Sequence, residues 1–175
     1  MKDGRGHIRN LLEYNGWAND QLYAKVSELP PVEVTKERET VLKSIFVSLN
    51  HLLSVDMIWL AHMQERSHGI SELRGTIHTE LGDLWQSRQR MDSEMLEYFE
   101  SLEIEELEEI VNYELIGGNT GSLSRANCFF HLVTHGSYHR GWIADMFGQA
   151  GSVPPIIDLP VYERFIRENN LTPMS

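Results

Sequence analysis

The sequence predicts an all-α protein, a four-helix bundle with a short β-hairpin before its last long helix. Two patterns support this prediction: four long stretches have apolar residues at helical spacing, and one short stretch alternates with a period of two. The chain has 175 residues, of which 41% are hydrophobic and 23% charged, as in globular proteins. We therefore expect residues 1–175 to form a single domain.

The first two predicted helices cover residues 6–29 and 39–64. The first stops before Pro30 and the proline that follows it, because this pair cannot continue a helix. Its apolar stripe includes two amides, Asn15 and Asn19, which must therefore meet a polar partner inside the protein. The second helix is apolar almost all round, which is typical of a helix buried on most sides.

Four further elements complete the predicted fold. A third helix covers residues 79–102 and has one apolar face. Apolar residues then alternate with polar ones over residues 111–115, and the Gly-Gly-Asn sequence that follows indicates the turn of a hairpin. The fourth long helix covers residues 124–149 and ends before Gly151, and a short helix is expected over residues 161–168.

The charge balance argues against two classes of partner. The formal net charge is −11, from 26 acidic and 15 basic side chains, so we expect neither nucleic-acid binding nor docking to an anionic membrane. The single cysteine, Cys128, favours a reducing compartment, and the N-terminus lacks the apolar core of a signal peptide. No uncharged apolar run reaches about 18 residues, the length that spans a membrane. The expected location is the cytoplasm.

Three histidines repeat every four residues in the fourth helix: His131, His135 and His139. Neighbours four apart lie on one face, about 5–6 Å apart at Cβ, so two imidazoles can share one metal ion. The outer two are about 12 Å apart along the axis and cannot do so directly, and spacing alone leaves open which neighbouring pair binds.

His51 lies inside the apolar second helix and is the best candidate for a third ligand, because facing helices of a bundle bring side chains together in the core. Three neutral imidazoles would leave one position open on zinc or a similar divalent ion, the arrangement of a reactive site. The alternative is that these histidines are ordinary hydrogen-bonded core or surface residues.

Four segments, taken in order and spacing, resemble the DinB-like (DinB/YfiT) superfamily of damage-inducible, metal-binding four-helix bundles. The opening segment is Tyr-Asn-Gly-Trp-Ala-Asn at residues 14–19, and the second is Leu-Asn-His-Leu-Leu at residues 49–53. The most specific is His-x3-His-x3-His-Arg-Gly at residues 131–141, and the tail from residue 151 to residue 159 resembles the family's ending. The resemblance covers most of the chain.

The resemblance implies that His51, His135 and His139 ligate a divalent metal ion, with zinc or nickel the usual metal. It leaves His131 beside the ligands but outside their shell. Asn15 and Asn19 are then expected to hydrogen-bond an imidazole N–H or metal-bound water; the alternative is that they bond each other or a backbone carbonyl.

Arg140 and Trp142, which follow the last histidine of the fourth helix, have further expected roles. Arg140 is expected either to hold an anionic group at the pocket mouth or to pair with a carboxylate on the surface. Trp142 stands where the family often has glutamine, a difference that would alter the pocket wall.

The sequence and the resemblance are compatible with two functions. The first is a metal-dependent hydrolase, or a transferase acting on a low-molecular-weight thiol, as the resemblance to maleylpyruvate isomerases and bacillithiol S-transferases implies; its substrate would be a small molecule. The second is a non-enzymatic, stress-related protein that binds or sequesters metal. A homodimer is expected from the resemblance, and from the apolar second helix, which a four-helix core would not cover on every side.

Overall fold

The computed structural model describes residues 4–169, and within them four long helices form the predicted bundle. The helices are α1 (Gly4–Ser27), α2 (Pro31–Thr35), α3 (Ile45–Met63), α4 (Leu81–Ser101), α5 (Arg125–Gln149) and α6 (Leu159–Glu168). The helix α1 packs against α4 and α5, and α3 packs against the same two helices. One continuous apolar core lies between these four helices.

The helix α1 ends before Pro30 as predicted, but the two prolines also start a helix that was not predicted. Proline is favoured in the first turn of a helix, where its missing N–H has no partner to lose. Pro31 accordingly begins the five-residue α2, which buries Val34 against the core.

The prediction that the second long helix begins near residue 39 was wrong. It begins at Ile45, because the Ser44 side chain caps it by accepting a hydrogen bond from the Val47 N–H. The residues before Ser44 form turns, in which Lys43 has a φ of 65° and Val41 is 54% exposed.

The helix α3 is the buried centre of the bundle. Among the described helices it alone is long and apolar enough to cross a membrane, but 78% of the relevant stretch is buried inside the protein, which makes it a core helix. Nearly all its residues are buried within one chain. Its apolar surface therefore gives no support for a dimer, contrary to the argument made from the sequence.

The predicted hairpin lies between α4 and α5. Strand β1 (Ile110–Glu114) pairs antiparallel with β2 (Thr120–Ser124), so that Val111 faces Leu123. The turn uses Gly117 and Gly118, both at positive φ. A short 3₁₀ turn over residues 105–108 precedes the hairpin and buries Leu107 within an otherwise acidic, solvent-facing stretch.

The helix α5 begins directly after β2, and the Ser124 side chain caps it by accepting a hydrogen bond from the Asn127 N–H. It ends at Gln149, two residues before Gly151 at a φ of 69°, close to the predicted position. Two of the three histidines proposed as ligands are thus carried on one rigid helix that packs directly on α3, which carries the third.

Candidate metal centre

The histidines His51 of α3 and His135 and His139 of α5 meet in one cluster, the histidine cluster. One nitrogen from each ring lies within 4.8 Å of the other two. The ring centroids are 5.3 Å apart for His51 and His135, and 4.6 Å apart for His51 and His139. The two α5 rings are 4.4 Å apart, as expected for neighbours one turn apart on one helix face.

The histidine cluster is held in its neutral form. Burial, reinforced by the neighbouring imidazoles, lowers the pKa of His135 to about 3. Burial and the nearby His51 lower the pKa of His139 to about 4. The pKa of His51 is also lowered, again chiefly by burial. Because a metal ion needs the lone pair of a neutral imidazole, all three rings are in the form that binds one at neutral pH.

A backbone carbonyl fixes the tautomer of His51. Its Nδ1 lies 2.9 Å from the carbonyl oxygen of Leu73, which can only accept, so Nδ1 carries the proton and Nε2 keeps the lone pair. A histidine that ligates metal commonly donates its second N–H to such a carbonyl. This interaction was not predicted, since any residue type in a loop supplies a carbonyl and no sequence signal marks position 73.

The other two rings of the histidine cluster have unused polar atoms. Among residues 4–169, the buried Nδ1 atoms of His135 and His139 have no hydrogen-bond partner. A buried polar atom left unpaired costs about 1–3 kcal/mol, so such atoms usually have a ligand or water to bind. Three neutral nitrogen donors at this spacing fit a divalent ion of the kind that imidazole prefers.

His131 stands beside the histidine cluster without belonging to it. Its ring centroid is 5.5 Å from that of His135 and 4.7 Å from the Trp59 ring, against which it packs. The three-histidine set defined by nitrogen distances leaves it out. His131 instead lines the cavity that adjoins the site.

This cavity, which we call the chamber, has a volume of about 300 Å³ and opens between α3, α5, the hairpin and the loop before α4. His51 and His135 are among its lining residues, so the chamber adjoins the candidate metal site. The remaining lining residues are Val55, Ile58, Trp59, Leu73, Tyr113, Leu115, Ile116, Leu123 and His131. The sequence predicted the hairpin but no role for it. The hairpin supplies four of the lining residues: Tyr113, Leu115, Ile116 and Leu123.

The structure corrects the expected roles of Asn15, Asn19 and Arg140. Both amide oxygens accept a hydrogen bond from Arg140 Nη1, at 2.7 Å and 2.9 Å, and neither amide bonds an imidazole of the histidine cluster. Arg140 is 2% exposed and, among residues 4–169, pairs with no surface carboxylate. It lines a separate cavity, of about 410 Å³, and does not line the chamber. It faces away from His139 because neighbours in a helix point in different directions.

This contact belongs to a larger buried set, the arginine network, formed by Asn15, Asn19, Asp56, Arg88, Asp92 and Arg140. Asn19 Nδ2 donates to both oxygens of Asp92, at 3.1 Å and 3.2 Å. Arg88 Nη1 donates to Asp56 at 2.7 Å, and its Nη2 lies 2.9 Å from Asp92. Burial raises the pKa of Asp56 to about 6, while the Arg88 guanidinium opposes that rise. The arginine network thus ties the four long helices together through balanced charge.

Two other residues to which the sequence drew attention, Trp142 and Cys128, do not belong to the histidine cluster. The Trp142 ring contacts His139, at a centroid distance of 5.0 Å, but does not line the chamber, so the expected change of pocket wall is not seen there. Cys128 is fully buried, and burial raises the pKa of its thiol to about 11, as suits an inert core residue.

Comparison with known proteins gives two findings. A sequence profile described as the DinB family matches residues 1–170. Among curated proteins, the chain is similar to one named "Protein DinB" from Bacillus subtilis (strain 168), with 26% identity over 165 residues. That alignment covers 87% of this chain and 91% of the relative. Both findings agree with the resemblance seen in the motifs and extend it over nearly the whole chain.

Proposed function

Because this chain belongs to the DinB family, we propose that it binds one divalent metal ion through His51, His135 and His139. The observation behind the proposal is the convergence of three ring nitrogens within 4.8 Å, from two different helices. Neutral imidazoles favour zinc or nickel over magnesium or calcium, which prefer oxygen ligands. Zinc is the metal we propose to test first, with nickel second.

The proposal extends to catalysis by a metal-dependent hydrolase or a transferase that uses a low-molecular-weight thiol. When bound, a divalent ion with three histidine ligands lowers the pKa of a water molecule or thiol that joins it. This chain's residues hold the site neutral, orient His51 through the Leu73 carbonyl and provide the adjoining chamber. The chamber favours an enzyme over a sequestering protein, because a protein that only stores metal needs no space for a second molecule.

Two further expectations stay as proposals. We propose a cytoplasmic location, supported by the free, buried Cys128. We also propose a homodimer, supported by Phe130 and Tyr138, which are 40% and 59% exposed and lie two turns apart on α5. Size-exclusion chromatography with light scattering tests the dimer, and a monomer at micromolar concentration would contradict it.

Metal content per chain, measured by plasma mass spectrometry, tests the proposed site. We expect about one zinc per wild-type chain and its loss in single alanine variants at His51, His135 and His139. His131→Ala is the matched control, since it removes a histidine one turn from His135 outside the cluster. Circular dichroism on each variant separates metal loss from unfolding.

Each outcome of this measurement has a distinct meaning. Folded wild-type protein that takes up no zinc or nickel after reconstitution would reject the proposed function. Metal loss in His131→Ala but not in His139→Ala would assign the site to the other α5 pair. Turnover assays of the zinc-loaded protein with thiols and electrophiles, and with hydrolysable esters, then test the catalytic part.

A further inference from the structure

The chamber beside the histidine cluster has walls that select a class of ligand. Apart from three histidines, every lining residue is apolar or aromatic, and among residues 4–169 no lysine, arginine, aspartate or glutamate contributes to it. A charged group placed in this chamber would therefore lose its hydration without gaining an oppositely charged side chain as a partner.

A second cavity, which can accept charged groups, lies beside the hairpin tip, the part of the hairpin that contains Leu115 and Ile116. Leu115 and Ile116 also line this second cavity, of about 490 Å³, whose other walls are mostly polar. These walls include His62, Arg66 and Glu114. The hairpin tip therefore separates a polar surface cavity from the apolar chamber, and the two differ in the ligands they can accept.

The size of the chamber and its aromatic walls further restrict the class of ligand that it can accept. A cavity of about 150 Å³ holds a benzene molecule and small-molecule pockets begin near 300 Å³, so the chamber suits a body of about one or two rings. The rings of Trp59 and Tyr113 lie 4.9 Å apart, and the Trp59 ring lies 4.7 Å from His131. Such surfaces favour an aryl group, because aromatic rings gain from contact with one another beyond the area they bury.

We propose that the chamber binds the uncharged aryl body of a small substrate, whose one electron-pair donor group reaches the histidine cluster. This inference rests on the proposed function, since the donor group is held by the metal ion. The chamber opens on His51 and His135, so the body and the donor group of one molecule occupy adjoining spaces. A thiol, a hydroxyl or a carbonyl attached to the ring would serve as the donor group.

The test compares two probes that share one metal-binding group. Benzohydroxamic acid and acetohydroxamic acid differ only in carrying a phenyl ring or a methyl group. On the zinc-loaded protein we expect calorimetric titration to show benzohydroxamic acid binding roughly tenfold more tightly, from apolar burial of the ring. A benzohydroxamic acid with a sulfonate on the ring should lose this advantage, because its charge would enter the apolar chamber.

Two hairpin variants test whether the preference for the phenyl ring arises in the chamber. Leu115→Asp puts a carboxylate into the wall at a position 42% exposed, where the fold should tolerate it, and we expect it to abolish the preference for the phenyl ring. Ile110→Asp is the matched control, since Ile110 is 62% exposed on the same hairpin and does not line the chamber. The control should keep the roughly tenfold preference.

Zinc content measured on the same samples separates the two proposals. Equal affinity for benzohydroxamic and acetohydroxamic acid in zinc-loaded wild-type protein would overturn the proposal that the chamber binds an aryl group. It would leave the proposed metal site unaffected. A ring preference that survives in folded Leu115→Asp would likewise overturn the proposal for the chamber. Wild-type protein that binds no zinc would reject the proposed function and this inference with it. Should Leu115→Asp not fold, the comparison of the three probes on wild-type protein still decides.

Discussion

Two groups of buried polar side chains meet at adjacent residues of α5 and differ in how their polar atoms are arranged. In the arginine network, Arg140 and Arg88 donate to amide and carboxylate oxygens of this same chain. In the histidine cluster, three ring nitrogens lie within 4.8 Å of one another. A single unpaired atom does not mark a functional group, because among the described residues Asp56 Oδ1 lacks a hydrogen-bond partner just as the Nδ1 atoms of His135 and His139 do. The convergence of three electron-pair donors distinguishes the histidine cluster.

The largest expected effect comes from breaking the arginine network. Arg88→Ala leaves Asp56 and Asp92 buried without their cation, so we expect a loss of about 3–5 kcal/mol in the free energy of unfolding. Urea denaturation at pH 7.5 measures it. Arg90→Ala is the matched control on the exposed side of the same helix and should change stability by less than about 0.5 kcal/mol. Equal effects of the two variants would contradict the structural role assigned to Arg88.

A smaller effect is expected where α5 approaches Arg140. A Cβ at Gly136 would lie 2.9 Å from both Arg140 Nη1 and Asn15 Oδ1, two atoms held together by their own hydrogen bond. We expect Gly136→Ala to cost about 1–3 kcal/mol of stability through this overlap. Gly141→Ala meets no atom within 4 Å and should instead stabilise α5 by up to about 1 kcal/mol. Thermal denaturation of both variants measures the contrast, and similar melting temperatures would show that the arginine network yields easily.

The effect that is smallest at neutral pH is a pH dependence to which the histidine cluster contributes. Burial lowers the pKa of His135 from 6.5 to about 3, so in the unfolded chain this ring binds more protons than in the folded one between these values. In chelator-treated protein, the contribution of His135 to stability should therefore be complete above about pH 6.5 and be lost as the pH falls below it. His135→Gln should flatten this decline in a series of urea titrations, whereas His7→Gln, at an exposed position, should not. An unchanged slope in His135→Gln would contradict the neutral, buried state of that ring.

Much of the fold follows from local signals in the sequence. Pro30 and Gly151 mark the ends of α1 and α5, and the alternation over residues 111–115 with its glycine turn marks the hairpin. The start of α3 was placed six residues early, because the apolar residues before Ser44 continue the helical pattern while the cap lies at Ser44 itself. Periodicity reports which side of a segment is buried, and it does not report where the backbone leaves the helix.

The sequence likewise predicted part of the candidate site and not the rest. The spacing on α5 and the apolar surroundings of His51 predicted three histidines that the structure brings together, with the resemblance selecting the pair on α5. The stripe of α1 predicted that Asn15 and Asn19 point inward, but not that Arg140 meets them, because that partner lies more than a hundred residues away in the chain. The chamber walls were not predicted either, since they arise from packing of the hairpin and a loop against two helices.

Leu73 has two functions that use different atoms. Its carbonyl oxygen orients His51, and its side chain forms part of the chamber wall. Every amino acid carries that carbonyl, so replacing the side chain reshapes the chamber while the orientation of His51 is retained. Position 73 is therefore a place where the proposed ligand of the chamber can be changed while the proposed metal site is retained. Randomising it in a directed-evolution library is a direct way to vary that ligand.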